Sequence, residues 1–227
     1  MGSSRFPGKP MKKIHGMPMI GHCYFRTKMC KDLFDTYVAT CDQEIYDYIK
    51  SINGNVIMTS SSHEMACDRA SEAMIKIEKD INSKVDIVVM VQGDEPMVTP
   101  EMISESLKPI KEDPSVNIVN LMANMDTVKE FEDPNEVKVV VDKFSNALYF
   151  SREAIPSKKK FNSEVPMLKQ VCIIPFRREY LLKFNLMDRT NLEIIESIDM
   201  MRIIENGEKI RMVMTNINSL SVDTEYD

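Results

Sequence analysis

Apolar side chains recur at helical spacing across residues 18–34 (Met19, Ile20, Cys23, Tyr24, Met29, Leu33), with His22, Arg26 and Lys28 between them, and predict a helix. The same reading predicts strands at Thr36–Thr40 and Val56–Met58 and helices at Gln43–Ile52 and Asp68–Ile81. Val85-Asp86-Ile87-Val88-Val89-Met90-Val91 is almost continuously β-branched, so Ile87–Val91 is expected as a strand buried on both faces, the mark of a parallel sheet covered by helices. Pro100, with Thr99 as its N-cap, opens a helix to Ile110. This β–α alternation with short connections predicts an α/β fold built on a doubly wound, mostly parallel sheet.

Beyond residue 115 the pattern changes. Ile118–Met125, Val137–Val141 and Ala147–Ser151 alternate more strongly and are separated by turns, which predicts a smaller, mixed-sheet portion. Leu168–Pro175 is expected as one strand, Arg178–Asn185 as a short helix, and Asn191–Asn206 as a single helix ended by Gly207. Ile210–Thr215 follows as a strand, and Val222–Asp223 as the end of another. Ser157–Val165 is polar, rich in lysine and bounded by proline, a surface loop.

At 227 residues the chain can bury a full core as one domain. A formal charge of −6 without any long basic run argues against nucleic-acid binding. No apolar stretch approaches a membrane span. Five scattered cysteines without a C-x-x-C pair fit reduced thiols, and the expectation is a cytoplasmic protein.

Candidate chemistry sits in two stretches. Gly2-Ser3-Ser4-Arg5-Phe6-Pro7-Gly8-Lys9-Pro10 offers backbone N–H groups, hydroxyls and two cations to one anion, which suits a triphosphate. Pro10 after the lysine excludes a Walker loop, which needs a hydroxyl residue opening a helix there. The second stretch is Val91-Gln92-Gly93-Asp94-Glu95-Pro96, where the apolar run stops. A carboxylate just past the end of such a strand is placed to hold a metal or a ligand hydroxyl.

At these stretches the chain resembles the CMP-Kdo synthetases, the 3-deoxy-manno-octulosonate cytidylyltransferases of nucleotide-diphospho-sugar transferase-like fold. The resemblance continues in order through Gly16-Met17-Pro18-Met19-Ile20, Val38-Ala39-Thr40-Cys41-Asp42 and the segment from Met58-Thr59 to Asp68-Arg69. It extends through Asp133-Pro134-Asn135-Glu136-Val137-Lys138, Ala147-Leu148-Tyr149-Phe150-Ser151-Arg152, Leu192-Glu193 with Glu196 and Arg202, and Val222-Asp223-Thr224. Against the family pattern, the first strand before the loop and the last helix are expected to be missing from residues 1–227, which otherwise form one cytidylyltransferase domain.

The resemblance implies transfer of CMP from CTP to a 2-keto-3-deoxy sugar acid, with release of pyrophosphate, Mg2+ as cofactor and a homodimer whose smaller portion serves dimerisation and sugar binding. By matched position it gives Lys9, Asp94 and Asp223 catalytic roles, with Asp94 and Asp223 as the metal ligands. CTP contacts fall to Ser3, Ser4, Arg5, Lys9, Arg69 and Gln92, and sugar contacts to Arg152, Gln170 and Glu196. Two segments depart from the pattern. His63-Glu64-Met65-Ala66-Cys67-Asp68-Arg69 lacks the family's hydroxyl-rich centre, and Lys169-Gln170-Val171-Cys172-Ile173-Ile174-Pro175-Phe176 replaces a histidine and two tyrosines. A pocket that loses hydroxyl partners discriminates differently. A modified keto-sugar acid, a sialic-type acceptor and an inactive nucleotide-binding relative are therefore the alternatives.

Overall fold

A computed structural model describes residues 6–159, 165–217 and 220–227. Gly8, at φ 71°, turns the chain into a single 3₁₀ turn over Lys9–Met11, which Pro10 favours by fixing φ. A small hairpin follows, β1 (Lys13–Ile14) and β2 (Met17–Pro18), and leads into α1 (Met19–Lys28). The expected helix ends sooner than its apolar periodicity suggested, because Met29 and Cys30 close it with bonds to Phe25 O and Thr27 O.

β3 (Val38–Thr40), α2 (Gln43–Ser51) and β4 (Val56–Met58) form one β–α–β unit, and the two strands pair in parallel. The unit is covered by α1, whose Ile20 and Tyr24 pack with Val38, Ile45, Ile49 and Val56. α3 (Ala66–Ile81) then leads back to β5 (Ile87–Val91), packing against β3, β4 and β5 on the way. Because α3 starts at the carboxyl end of β4 and ends at the amino end of β5, Asp94 emerges on the same edge of the fold as the α3 N-terminus.

β5 itself departs from expectation. It is half-buried along most of its length and pairs antiparallel with the strand Ile173–Arg177. Among the described residues, the outer edges of β3 and β5 carry no ladder. α4 (Pro100–Glu112) opens as expected, Thr99 Oγ1 accepting from Met102 N at 3.3 Å.

The remaining strands are β6 (Val119–Asn124), β7 (Lys138–Val141), β8 (Ala147–Ser151) and β9 (Leu168–Val171), with the single-turn helix α5 (Val128–Glu132) after β6. With β11 (Arg211–Thr215) they form a five-stranded sheet of order β11-β6-β9-β7-β8. Among the described ladders, β3–β4 and β6–β11 run parallel and the rest antiparallel, so the α/β class holds but the sheet is not mostly parallel.

Leu168–Pro175, expected as one strand, is two. β9 pairs with β6 and β7, while β10 (Ile173–Arg177) pairs with β5. The chain changes sheets at Cys172, whose N–H donates to Glu95 Oε1 instead of to a neighbouring strand. The expected helix Asn191–Asn206 is likewise divided after α6 (Arg178–Leu186), into α7 (Asn191–Glu196) and α8 (Met201–Glu205), with Ser197 at φ 55° between them. No strand forms at Val222–Asp223.

Most of the apolar core lies beneath the larger sheet, around Phe150, Phe176, Phe184 and Met201. Within it Arg202 donates to both carboxylate oxygens of Glu193, at 2.8 and 2.5 Å, and both side chains are at most 5% exposed. Removing one partner leaves a buried charge uncompensated. Glu193→Ala is expected to cost about 3 kcal/mol of stability, read from denaturant unfolding. A loss below a tenth of that would show that Arg202 finds water instead.

Candidate active site

Lys9, Asp94 and Asp223 converge. The Lys9 Nζ lies 2.9 Å from Asp94 Oδ2, 3.5 Å from Asp223 Oδ1 and 2.8 Å from the Val222 carbonyl. The three side chains are 11%, 23% and 18% exposed, so the cluster sits in a recess with one face open to solvent.

Local backbone explains the arrangement. The Gly8–Pro10 turn aims Lys9 inward, and Val222 N donates to Asp94 O at 2.9 Å, tying the chain around Asp223 to the end of β5. Glu95, beside Asp94, turns away into the protein to receive Cys172 N and is 3% exposed. From α1, the Cys23 thiol donates to Gly93 O at 3.4 Å. Burial and the neighbouring Asp94 and Glu95 charges push that thiol up to about 12, so it stays protonated and unreactive.

The oxygen set around the ammonium, two carboxylates and a carbonyl, is also the donor set of a hard divalent cation such as Mg2+. The lysine nitrogen acts as a stand-in ion, and on that ground these residues fit a metal. Among the described residues no group of three or more His, Cys, Asp or Glu side chains is placed to hold one.

The other expected site residues fall in three places. Gln92 sits at the mouth beside Asp94, half-buried, and its side-chain amide makes no hydrogen bond among the described residues. Arg69, in the first turn of α3, donates to Thr59 Oγ1 at 2.6 Å and to Ser60 O at 3.3 Å, closing the loop after β4. Ser3, Ser4 and Arg5 lie outside the described residues.

That loop is held a second time by Glu72, which receives Ser60 N, pairs with Lys76 at 2.7 Å and contacts His63. The Lys76 contact, the Ser60 N–H and the histidine bring the Glu72 carboxyl down from 4.5 to about 2. A carboxylate whose folded value is depressed stabilises the fold while ionised; its support is complete above pH 4.5 and is lost as pH falls toward 2. Glu72→Gln is expected to flatten the acid limb of stability across that interval, by thermal unfolding at stepped pH. An unchanged limb would refute the assignment.

Arg152, Gln170 and Glu196 belong to the mixed sheet. The Arg152 guanidinium donates to the carbonyls of Glu196, Pro134 and Ser197 at 2.9 to 3.3 Å. Glu196 accepts from Tyr149 OH, Ser151 Oγ and Arg152 N, so both its oxygens already have protein partners. Gln170 Nε2 donates to Asn120 Oδ1 at 2.6 Å, and no described residue bonds its amide oxygen. Ile174 and Phe176, at the family's tyrosine positions, are 1% and 0% exposed and belong to the core.

Sequence reasoning missed the charges behind the site. Lys169 is 4% exposed and pairs with Glu130 at 2.6 Å and Glu136 at 3.4 Å. Burial raises the Glu136 carboxyl, Lys169 opposes this, and the charges of Glu130 and Asp223 add to it. Lys138 is fully buried, its ammonium donating to the carbonyls of Asp133, Glu136 and Arg152, and burial lowers its value. Each lysine stands beside an apolar residue in a short strand, a pattern that also suits an exposed edge.

Comparison with known proteins follows the same lines. A family model described as cytidylyltransferase matches residues 1–210. A 3-deoxy-manno-octulosonate cytidylyltransferase from Geobacter metallireducens is 37% identical, over 99% of this chain and 90% of its own length. One from Geobacter sulfurreducens is 38% identical, over 99% and 92%. A solved CMP:2-keto-3-deoxy-manno-octonic acid synthetase complexed with CTP superimposes with a TM-score of 0.89, at 34% identity over 99% of this chain and 90% of that one. A glucose-1-phosphate thymidylyltransferase from Bacillus anthracis, at 13% identity and a TM-score of 0.61, shares the fold.

Proposed function

The chain belongs to the cytidylyltransferase family, and on that premise we propose that it transfers CMP from CTP to 3-deoxy-manno-octulosonate, releasing pyrophosphate. The observation that carries this reading is the meeting of Lys9, Asp94 and Asp223 at one point on the sheet edge. The product is an activated sugar acid for lipopolysaccharide or capsule synthesis. We place the reaction in the cytoplasm, with its CTP supply; among the described residues no helix is long and apolar enough to cross a membrane.

The sugar's anomeric hydroxyl attacks the α-phosphorus, a P–O bond forms, and the bond to pyrophosphate breaks. Reactions of this kind depend on positioning and charge neutralisation more than on a protein nucleophile. Lys9 would meet the β- and γ-phosphates together with Ser3, Ser4 and Arg5, while Asp94 and Asp223 would hold Mg2+, which would supply neutralisation of phosphate charge. Arg69 and Gln92 orient the nucleotide from the other side of the recess. Gln170 offers its amide oxygen to the sugar. Arg152 and Glu196 shape the sugar side, mainly by fixing the turn at Ser197.

We also propose a homodimer formed through the mixed-sheet portion. Leu148 on the edge strand β8 and Ile194 and Ile195 on α7 are 56%, 56% and 75% exposed, on elements that Glu196 joins. Light scattering giving a monomer mass would reject the dimer. For the activity, purified protein with CTP, Mg2+ and 3-deoxy-manno-octulosonate is expected to yield pyrophosphate and the CMP-sugar by phosphorus NMR. CTP binding without turnover, or clear preference for a sialic-type acid, would overturn the assignment.

A further inference from the structure

The Lys9 ammonium has three protons, and three oxygens accept from it: Asp94 Oδ2 at 2.9 Å, Val222 O at 2.8 Å and Asp223 Oδ1 at 3.5 Å. From this geometry we propose that Lys9 is the resident cation of the carboxylate pair before substrate arrives, so that the divalent ion enters together with the nucleotide and not ahead of it. The inference rests on the reading above, in which this pair holds a metal.

Three facts support it. An ammonium bonded to both carboxylates occupies the space a metal would take, so the two cannot be bound there at once. The same ammonium has no proton left for a phosphate until it releases one of its present acceptors. And the backbone around it is fixed, with Gly8 at φ 71° and Pro10 next in the chain, so the change falls to the flexible four-carbon stem.

Electrostatics sets the order of events. A metal arriving alone has to expel a partly buried ammonium, 11% exposed, from both of its carboxylate partners. A nucleotide triphosphate supplies that partner. As Lys9 moves to the phosphates it exposes two carboxylates whose mutual repulsion favours immediate capture of the ion. Metal and nucleotide affinities are then coupled, and linkage makes the coupling equal in both directions.

The test uses Mn2+ alone as probe, its free fraction read by electron paramagnetic resonance with full-chain protein. Wild-type protein is expected to bind Mn2+ weakly. Lys9→Met, and Lys9→Gln should the first variant not fold, is expected to bind it about 10- to 100-fold more tightly, a typical range for a coupling between sites. Lys9→Arg, which keeps a cation in place, should remain weak, and adding Asp94→Asn to Lys9→Met should abolish the gain. Equal Mn2+ affinity in wild type and Lys9→Met overturns the inference, as does a gain that survives Asp94→Asn. A separate arm, equilibrium dialysis of Mn2+ and CTP with wild type and Asp94→Asn, tests the metal reading itself. Ternary binding that depends on Asp94 while Lys9→Met shows no gain leaves the metal site standing and removes only the role of Lys9. Ternary binding indifferent to Asp94 removes the site, and the inference with it.

Discussion

Asp94→Asn is expected to lower kcat/KM by about 1,000-fold, equivalent to about 4 kcal/mol of transition-state stabilisation. The substitution keeps size and shape, so the main-chain bond from Val222 N to Asp94 O persists and the site stays assembled. What goes is one of two formal negative charges facing the Lys9 ammonium. A neutral amide is a poor ligand for a hard cation. Initial-rate measurement of pyrophosphate release, at saturating and limiting CTP, gives the result directly. Asp223→Asn should fall by a similar factor, and the double variant by far less than the product, because both carboxylates serve one centre. Full additivity would mean that the two act at separate places.

Lys9→Met should cost about 100- to 1,000-fold in kcat/KM, the usual range for removing one preorganised donor to developing charge. Methionine keeps much of the length and apolar stem of lysine without its ammonium. The variant leaves Asp94 and Asp223 without the ammonium they share, so its stability should also fall and recover when a divalent ion is added. Thermal unfolding with and without Mg2+, beside the rate measurement, separates the two effects. Retention of more than a tenth of wild-type activity would show that the phosphates are held by other groups, Arg5 first among them.

Much of the first half was legible in the sequence. Ile87–Val91 and Val56–Met58 are strands with the expected limits, and Thr99 caps the helix beginning at Pro100. These are local decisions, made by β-branched runs, turn residues and a single cap. The contacts of Lys9 with Asp94 and Asp223 were legible through resemblance rather than spacing, since no local rule joins positions so far apart.

The rest depended on tertiary partners. The apolar run from Leu168 to Pro175 gives no sign of the change of sheet at Cys172, because what breaks it is the Glu95 carboxylate on a different strand end. The helical periodicity from Asn191 to Asn206 is real but interrupted. Ser197 takes a left-handed conformation while Glu196 is held by Tyr149, Ser151 and Arg152 from β8 and the residue after it. Half-burial of β5 was also hidden, since a β-branched run looks the same whether one of its edges or both are paired.

The unladdered sides of β3 and β5 carry a consequence for handling the protein. Among the described residues each is a row of backbone donors and acceptors without a strand partner. Such rows recruit extended backbone from whatever chain is nearby, so self-association should grow with protein concentration and with warming. A short peptide of alternating valine and threonine, present in excess, should suppress it by filling the seam first.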